Sequence, residues 1–163
     1  VWTLVITNHH VINSAISISE EFDPKKGKSM KMETRRPVHV RLWDYNDYST
    51  AVGTTGRVAR IVAWDKHRDL ALLRLNDKER VIKNVAHLWP EKVGGPYLFQ
   101  TVWAIGSGMS NPPYPTQGLL SGISGKDRKG RALYLSSSPI IFGNSGGSLW
   151  AFSKKRDRYT TGG

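Results

Sequence analysis

The chain has 163 residues, 39% apolar and 10% aromatic, which is enough to bury a core in one domain or two small subdomains and excludes wholesale disorder. It contains no cysteine, which removes disulfide scaffolds, thiolate zinc sites, iron–sulfur clusters and a cysteine nucleophile, and leaves the redox compartment open. The net charge is +11, from 24 Lys and Arg against 13 Asp and Glu, and no apolar run reaches the roughly 18 residues of a membrane helix.

Val1-Trp2-Thr3-Leu4-Val5-Ile6 opens in what reads as mid-strand, with neither an initiating Met nor a signal peptide ahead of it, so a fragment is expected. That first strand, Trp2 to Thr7, runs into Asn8-His9-His10-Val11-Ile12. After Asp23-Pro24 comes a basic run, Lys25, Lys26, Lys28, Lys31, Arg35 and Arg36, which reads as a solvated loop. Val38, Val40 and Leu42 alternate with His39, Arg41 and Trp43, the period of a half-buried strand. A turn is expected at Gly53-Thr54-Thr55-Gly56. The strand Arg57 to Asp65 follows, with Val58, Arg60, Val62 and Trp64 on one face and Ala59, Ile61 and Ala63 on the other. Leu70 to Leu75 is nearly all apolar and reads as a buried strand opened by Asp69.

Asn76-Asp77-Lys78-Glu79 has the shape of a capping box and predicts a short helix through Val81-Ile82-Lys83. Pro90, Gly94-Gly95 and Pro96 then mark a connection, giving a first domain over 1–80, a linker over 81–97 and a second domain over 98–163. The second half predicts strands at Val102 to Ile105, Gly118 to Ser124, Ala132 to Ser136, Ser148 to Phe152 and Tyr159 to Thr161. Turn signals separate them at Asn111-Pro112-Pro113, Gly125-Lys126-Asp127 and Gly143 to Gly147. Two further basic runs, Lys126 to Arg131 and Lys154 to Arg158, also read as loops. Many short strands with this punctuation predict an all-β barrel or sandwich.

Three stretches carry chemistry. In Gly143-Asn144-Ser145-Gly146-Gly147 the glycines permit backbone shapes other residues resist, and successive N–H groups can converge on a developing oxyanion. The bland alternative is an inert Gly/Ser loop. In Ile6-Thr7-Asn8-His9-His10-Val11-Ile12 the imidazoles suit general-base work near neutral pH, against the alternative of structural histidines. Asp69 opens a very apolar strand, where a carboxylate needs a partner; orienting a histidine would supply one, and a plain turn residue is the alternative.

In the order His, Asp, Ser these stretches resemble the trypsin-like serine proteases, and most closely the cysteine-free HtrA/Deg-type branch. Ala104-Ile105-Gly106-Ser107 and Gly118-Leu119-Leu120-Ser121-Gly122-Ile123-Ser124 resemble further strands of that branch, so the resemblance spans Trp2 to about Phe152. It implies two antiparallel β-barrels of the chymotrypsin type with the active site in the cleft between them. It also implies Ser145 as nucleophile, His10 as general base and acid, Asp69 as the residue orienting His10, and an oxyanion hole from the N–H groups of Gly143 and Ser145. His9 falls at the variable position of its motif and is taken as structural. Against the family pattern, the first and last strands are expected to be missing, and Phe142 stands where the branch commonly has proline. Open edges are therefore expected around Trp2 to Ile6 and Tyr159 to Thr161, and poor stability for the chain alone.

The implied function is a serine endopeptidase acting on protein or peptide substrates, with no metal and no cofactor. The substrate pocket is expected around Pro139, Ile140 and Ile141, where the absence of an acid predicts a non-basic preference. The resemblance also implies a periplasmic or otherwise extracytoplasmic location. An inactive protease-fold binding protein is the first alternative, and a basic nucleic-acid-binding β-barrel, resting on the charge alone, is the weaker one.

Overall fold

The structure, a computed structural model, describes residues 3–47, 50–76, 82, 84–89, 95–124 and 133–161. The chain divides into two compact units, Val1–Val81 and Ile82–Gly163, and both are built from antiparallel strands.

In the first unit β1 (Leu4–Thr7) leads into a single helical turn, α1 (His9–Ile12), and a 3-10 turn at Asn13–Ala15. Then come β2 (Ile16–Asp23), β3 (Lys28–Arg35), β4 (Val38–Asn46), β5 (Thr50–Asp65) and β6 (Leu70–Leu75). One sheet has the order β1-β6-β5-β4, and β2 and β3 form a hairpin of their own. β6 is the central apolar strand: Ala71, Leu73 and Leu75 are buried, and with Ala59 and Ile61 of β5 and Ile12 of α1 they make the core. Side chains at every second position share a face, so this one set is enough to fix the register of β5 against β6.

Three expectations are corrected here. The turn expected at Gly53–Gly56 is strand, with Gly53 opposite Asp44 and Gly56 opposite Arg41. No atom lies within 4 Å of where a Cβ would stand at either glycine, so they mark an exposed arm of the hairpin and not its reversal. The basic run read as a loop is mostly β3, which carries Lys28, Lys31 and Arg35; it escapes a burial-based reading because neither β2 nor β3 contributes a buried apolar side chain. Finally, the two faces assigned to Arg57–Asp65 hold only as far as Ile61. The register slips between Ile61 and Ala63, leaving Val62 as the extra residue of a β-bulge that breaks the alternation.

The second unit comprises β7 (Thr101–Gly106), a 3-10 turn at Gly108–Ser110, β8 (Tyr114–Ser124), β9 (Leu133–Ser136), β10 (Ser148–Ser153) and β11 (Arg158–Thr161). Their order in one sheet is β11-β10-β7-β8-β9. Val102, Leu120 and Ala151 form its core, with Trp89 and Leu149 packed against them. β8 starts four residues before the expected Gly118 and includes Pro115. Among the described residues this part of β8 pairs only with β7, so Pro115 lies where β8 is a sheet edge, a position proline tolerates.

Near the two ends the results differ. Leu4 and Ile6 are half exposed, and among the described residues β1 pairs only with β6. The edge expected to be open at Thr161 is instead occupied: Trp89 N–H donates to the Thr161 carbonyl at 2.8 Å, and Thr161 N–H to that of His87 at 2.9 Å. The segment ahead of β7 thus returns alongside β11. In the third basic run, Lys154, Lys155 and Arg156 lie in the β10–β11 turn and Arg158 opens β11. Trp2 of the first strand, residues 77–81 and 83 of the helix expected beyond Asn76, the turn at Gly125–Asp127 and the basic residues Lys126 to Arg131 lie outside the described residues, and Ile82 is not helical.

One close approach carries a stability prediction. A Cβ on Gly118 would stand 2.2 Å from the backbone nitrogen of Ser138, so either β8 or the segment that follows β9 would have to move. Gly118→Ala is expected to destabilise the fold by at least about 2 kcal/mol, measured by denaturant unfolding. Gly53→Ala, with open space around it, is the control.

Candidate active site

In the first unit the chain leaves β1 at Thr7, and Asn8, in extended conformation, stands at the N-cap position of α1. This turn lies against Asp69, which sits at φ 56° just ahead of β6. The left-handed region is uncommon for a non-glycine residue, though Asp tolerates it better than most, and such backbone is often found where a side chain has to be aimed. Four hydrogen bonds converge on this residue. The Asp69 backbone carbonyl accepts from Asn8 Nδ2 at 2.9 Å and from His9 N–H at 3.2 Å. The carboxylate accepts from His10 N–H at Oδ1, 2.9 Å, and faces His10 Nδ1 across 2.8 Å at Oδ2.

An ionised carboxylate can only accept, so His10 Nδ1 carries the proton in this contact, and the neutral imidazole then has its lone pair on Nε2. Partial burial pushes the Asp69 carboxyl up, but the His10 N–H, the His10 ring and the nearby imidazoles outweigh it and hold it below the usual value. The His10 side chain is 55% exposed and that of Asp69 30%, so one face of the imidazole pair is open to solvent. His9 differs from its neighbour: it is 5% exposed, and its ring lies against Trp64 with centroids 5.0 Å apart.

In the second unit Gly143–Gly147 forms the loop that enters β10, and Ser145 is exposed on it. Gly143 has φ 95°, and a Cβ there would stand 2.7 Å from both Met109 N and the Ser107 carbonyl, so only glycine fits. The loop is tied down by Met109 N–H to the Phe142 carbonyl at 2.7 Å, Asn144 N–H to Ile141 at 3.2 Å and Gly147 N–H to Asn144 at 2.8 Å. In a trans peptide the C=O and N–H point in opposite directions, so fixing the Phe142 carbonyl on Met109 turns the Gly143 N–H the other way. Among the described residues no hydrogen bond takes the N–H of Gly143 or of Ser145.

Pro139, Ile140 and Ile141 lie immediately upstream and are exposed, as is Phe142 at 91%. Thr116 Oγ1 donates to the Pro139 carbonyl at 2.8 Å, and buried Ser138 anchors the segment behind it. Of the residues singled out from the sequence, the structure therefore joins His10 to Asp69 in one unit and places Gly143, Ser145 and Pro139–Ile141 along one segment of the other. Asn8 lies within the histidine motif, where the sequence gives it no role of its own; an Asn side chain beside a turn is the signal that points to it. Among the described residues no three His, Cys, Asp or Glu side chains cluster as a metal site would require, and no helix is long and apolar enough to cross a membrane.

The family described as "Trypsin-like peptidase domain" matches residues 2–156. No curated protein sequence matches significantly. Among solved structures, Deg5 superposes with a TM-score of 0.61 at 22% identity, over 91% of this chain and 63% of that one. The serine endoprotease from Yersinia pestis gives 0.56 at 22% identity, over 91% of this chain and 40% of that one. This chain thus spans less than two thirds of either relative. Both neighbours are of the HtrA/Deg type whose motifs the sequence resembles. The all-β, chymotrypsin-type architecture expected from the sequence is the one found, with curled antiparallel sheets in each unit. With the family profile covering nearly all of its length and these neighbours sharing its fold, the chain belongs to the trypsin-like peptidase domain family.

Proposed function

We propose that the chain is the peptidase domain of a serine endopeptidase, in which Ser145 is the nucleophile, His10 the general base and then acid, and Asp69 the group that orients His10. The observation that carries this is the two-point grip of Asp69 on His10, at the backbone N–H and at ring Nδ1. A carboxylate on Nδ1 makes Nε2 the basic nitrogen and steadies the imidazolium that forms when Nε2 takes a proton.

In the proposed reaction Ser145 Oγ gives its proton to Nε2 as it bonds to the scissile carbonyl carbon. The carbonyl electron pair moves onto oxygen, and the unengaged N–H groups of Gly143 and Ser145 receive that charge. Collapse of the tetrahedral adduct expels the amine, which leaves with the proton from His10; water then repeats the sequence and frees Ser145. Substrates are protein or peptide chains.

Ser137 to Ile141 offers no carboxylate to a substrate cation, and burying an unpaired Lys or Arg is costly. Cleavage is therefore expected after small or aliphatic residues. A peptide library digested by the protein carrying this chain, with Ser145→Ala as control, tests both statements together. Cuts after Ala, Val, Ile or Leu that vanish in the variant are the expected result; a profile dominated by Arg and Lys, or one that persists in Ser145→Ala, contradicts it.

A further inference from the structure

The bulge in β5 has a partner outside its own sheet. Val62 is the extra residue, and a bulge leaves backbone groups there without ladder partners. Arg35 of β3 meets that need: its Nη1 donates to the Ile61 carbonyl at 3.1 Å and to the Val62 carbonyl at 2.9 Å. The same guanidinium donates through Nε to Glu33 Oε1, and Glu33 Oε1 also accepts from the indole N–H of Trp64 at 3.1 Å. These two donors, Arg35 first and Trp64 second, hold the Glu33 carboxyl below its usual value against a small opposing effect of burial.

Trp64 is the residue the bulge re-aims. It lies opposite Ala71, two positions beyond Asp69, and its ring covers the buried ring of His9. The His9 N–H in turn donates to the Asp69 carbonyl. A continuous set of contacts therefore runs Arg35–Glu33–Trp64–His9, ending on the turn that presents His10 and on the backbone of Asp69. The hairpin takes no part in the hydrophobic core, and among the described residues Glu33 and Arg35 make all its hydrogen bonds to the four-stranded sheet. Core packing does not explain a charged pair and an indole N–H gathered at a bulge; aiming Trp64 does.

We propose that Trp64, held by Glu33 and Arg35, is a positioning residue for the His10–Asp69 pair, so that the β2–β3 hairpin sets the orientation of the proposed general base. For its catalytic consequence this rests on the peptidase reading; for its geometry it does not. The test uses Glu33→Ala, Glu33→Gln, which keeps an acceptor oxygen, and Trp64→Phe, which keeps a ring against His9 but loses the N–H.

Two quantities are read in each variant: the His10 tautomer from its ring 15N shifts, and the rate of fluorophosphonate labelling at Ser145, alongside the thermal midpoint. Glu33→Ala and Trp64→Phe are expected to turn a predominantly Nδ1-protonated His10 into a tautomer mixture and to slow labelling about tenfold, with Glu33→Gln close to wild type. An unchanged tautomer and labelling rate in both disruptive variants, with only a lower midpoint, overturns the proposal and leaves a structural role. The tautomer does not depend on turnover. An unlabelled wild type would therefore sink the peptidase reading, while the 15N shifts would still decide this one.

Discussion

His10→Ala is expected to lower the rate at which Ser145 is acylated by on the order of 10⁴-fold or more. A serine hydroxyl is a poor nucleophile at neutral pH, and the other imidazole on the His9–Ile12 turn, His9, is buried against Trp64. The measurement is the acylation rate with an activated ester, wild type against variant. Substrate binding should change little, because the imidazole acts on the proton and not on the peptide, so the loss should fall on kcat and leave KM nearly unchanged. A loss confined to KM would give His10 a binding role and remove it from the chemistry.

Asp69→Asn is expected to cost a similar factor, on the order of 10⁴-fold, while leaving the loop almost unmoved. The amide offers an N–H where the carboxylate had an oxygen, which favours the tautomer with the proton on Nε2, the nitrogen that should be free. Asp69 also carries a pH signature. Its carboxyl lies below the usual value in the folded protein, so its ionised form adds stability above the unfolded carboxyl range, about 3.9, and that stability is lost as pH falls through the lower folded value. Denaturant midpoints should drop for the wild type between neutral pH and about pH 3. The drop should be smaller in Asp69→Asn, which has no proton to gain there. Equal drops in the two proteins would mean that Asp69 is not held ionised by His10.

The parts of this chain that were legible in its sequence are those whose side chains are buried or whose backbone needs a special residue. Leu70–Leu75 matches β6 because Ala71, Leu73 and Leu75 fill the core from one face while Leu72 is part-buried on the other, so the strand reads as a nearly continuous apolar run. The Gly143–Gly147 loop was legible because its glycines meet positive φ and close backbone contact. The β2–β3 hairpin was not, since its apolar residues, Ile18 and Phe22 among them, face solvent and its charges suggest a loop. Nor was the bulge at Val62. One extra residue changes no composition and shows only in what the two strands do to each other, so the faces assigned to Trp64 and its neighbours were out of phase. Trp64, Glu33 and Arg35 became visible as a group only once a distant hairpin had been placed beside that bulge.

The central claim is that Ser145 is a nucleophile activated through the His10–Asp69 pair, and fluorophosphonate labelling read by peptide mass mapping tests it most directly. The wild-type protein should gain one adduct, on Ser145; Ser145→Ala should gain none, and His10→Ala should be labelled only at a rate lower by orders of magnitude. A folded wild-type protein that takes up no label, or one that carries the adduct on a residue other than Ser145, would contradict it.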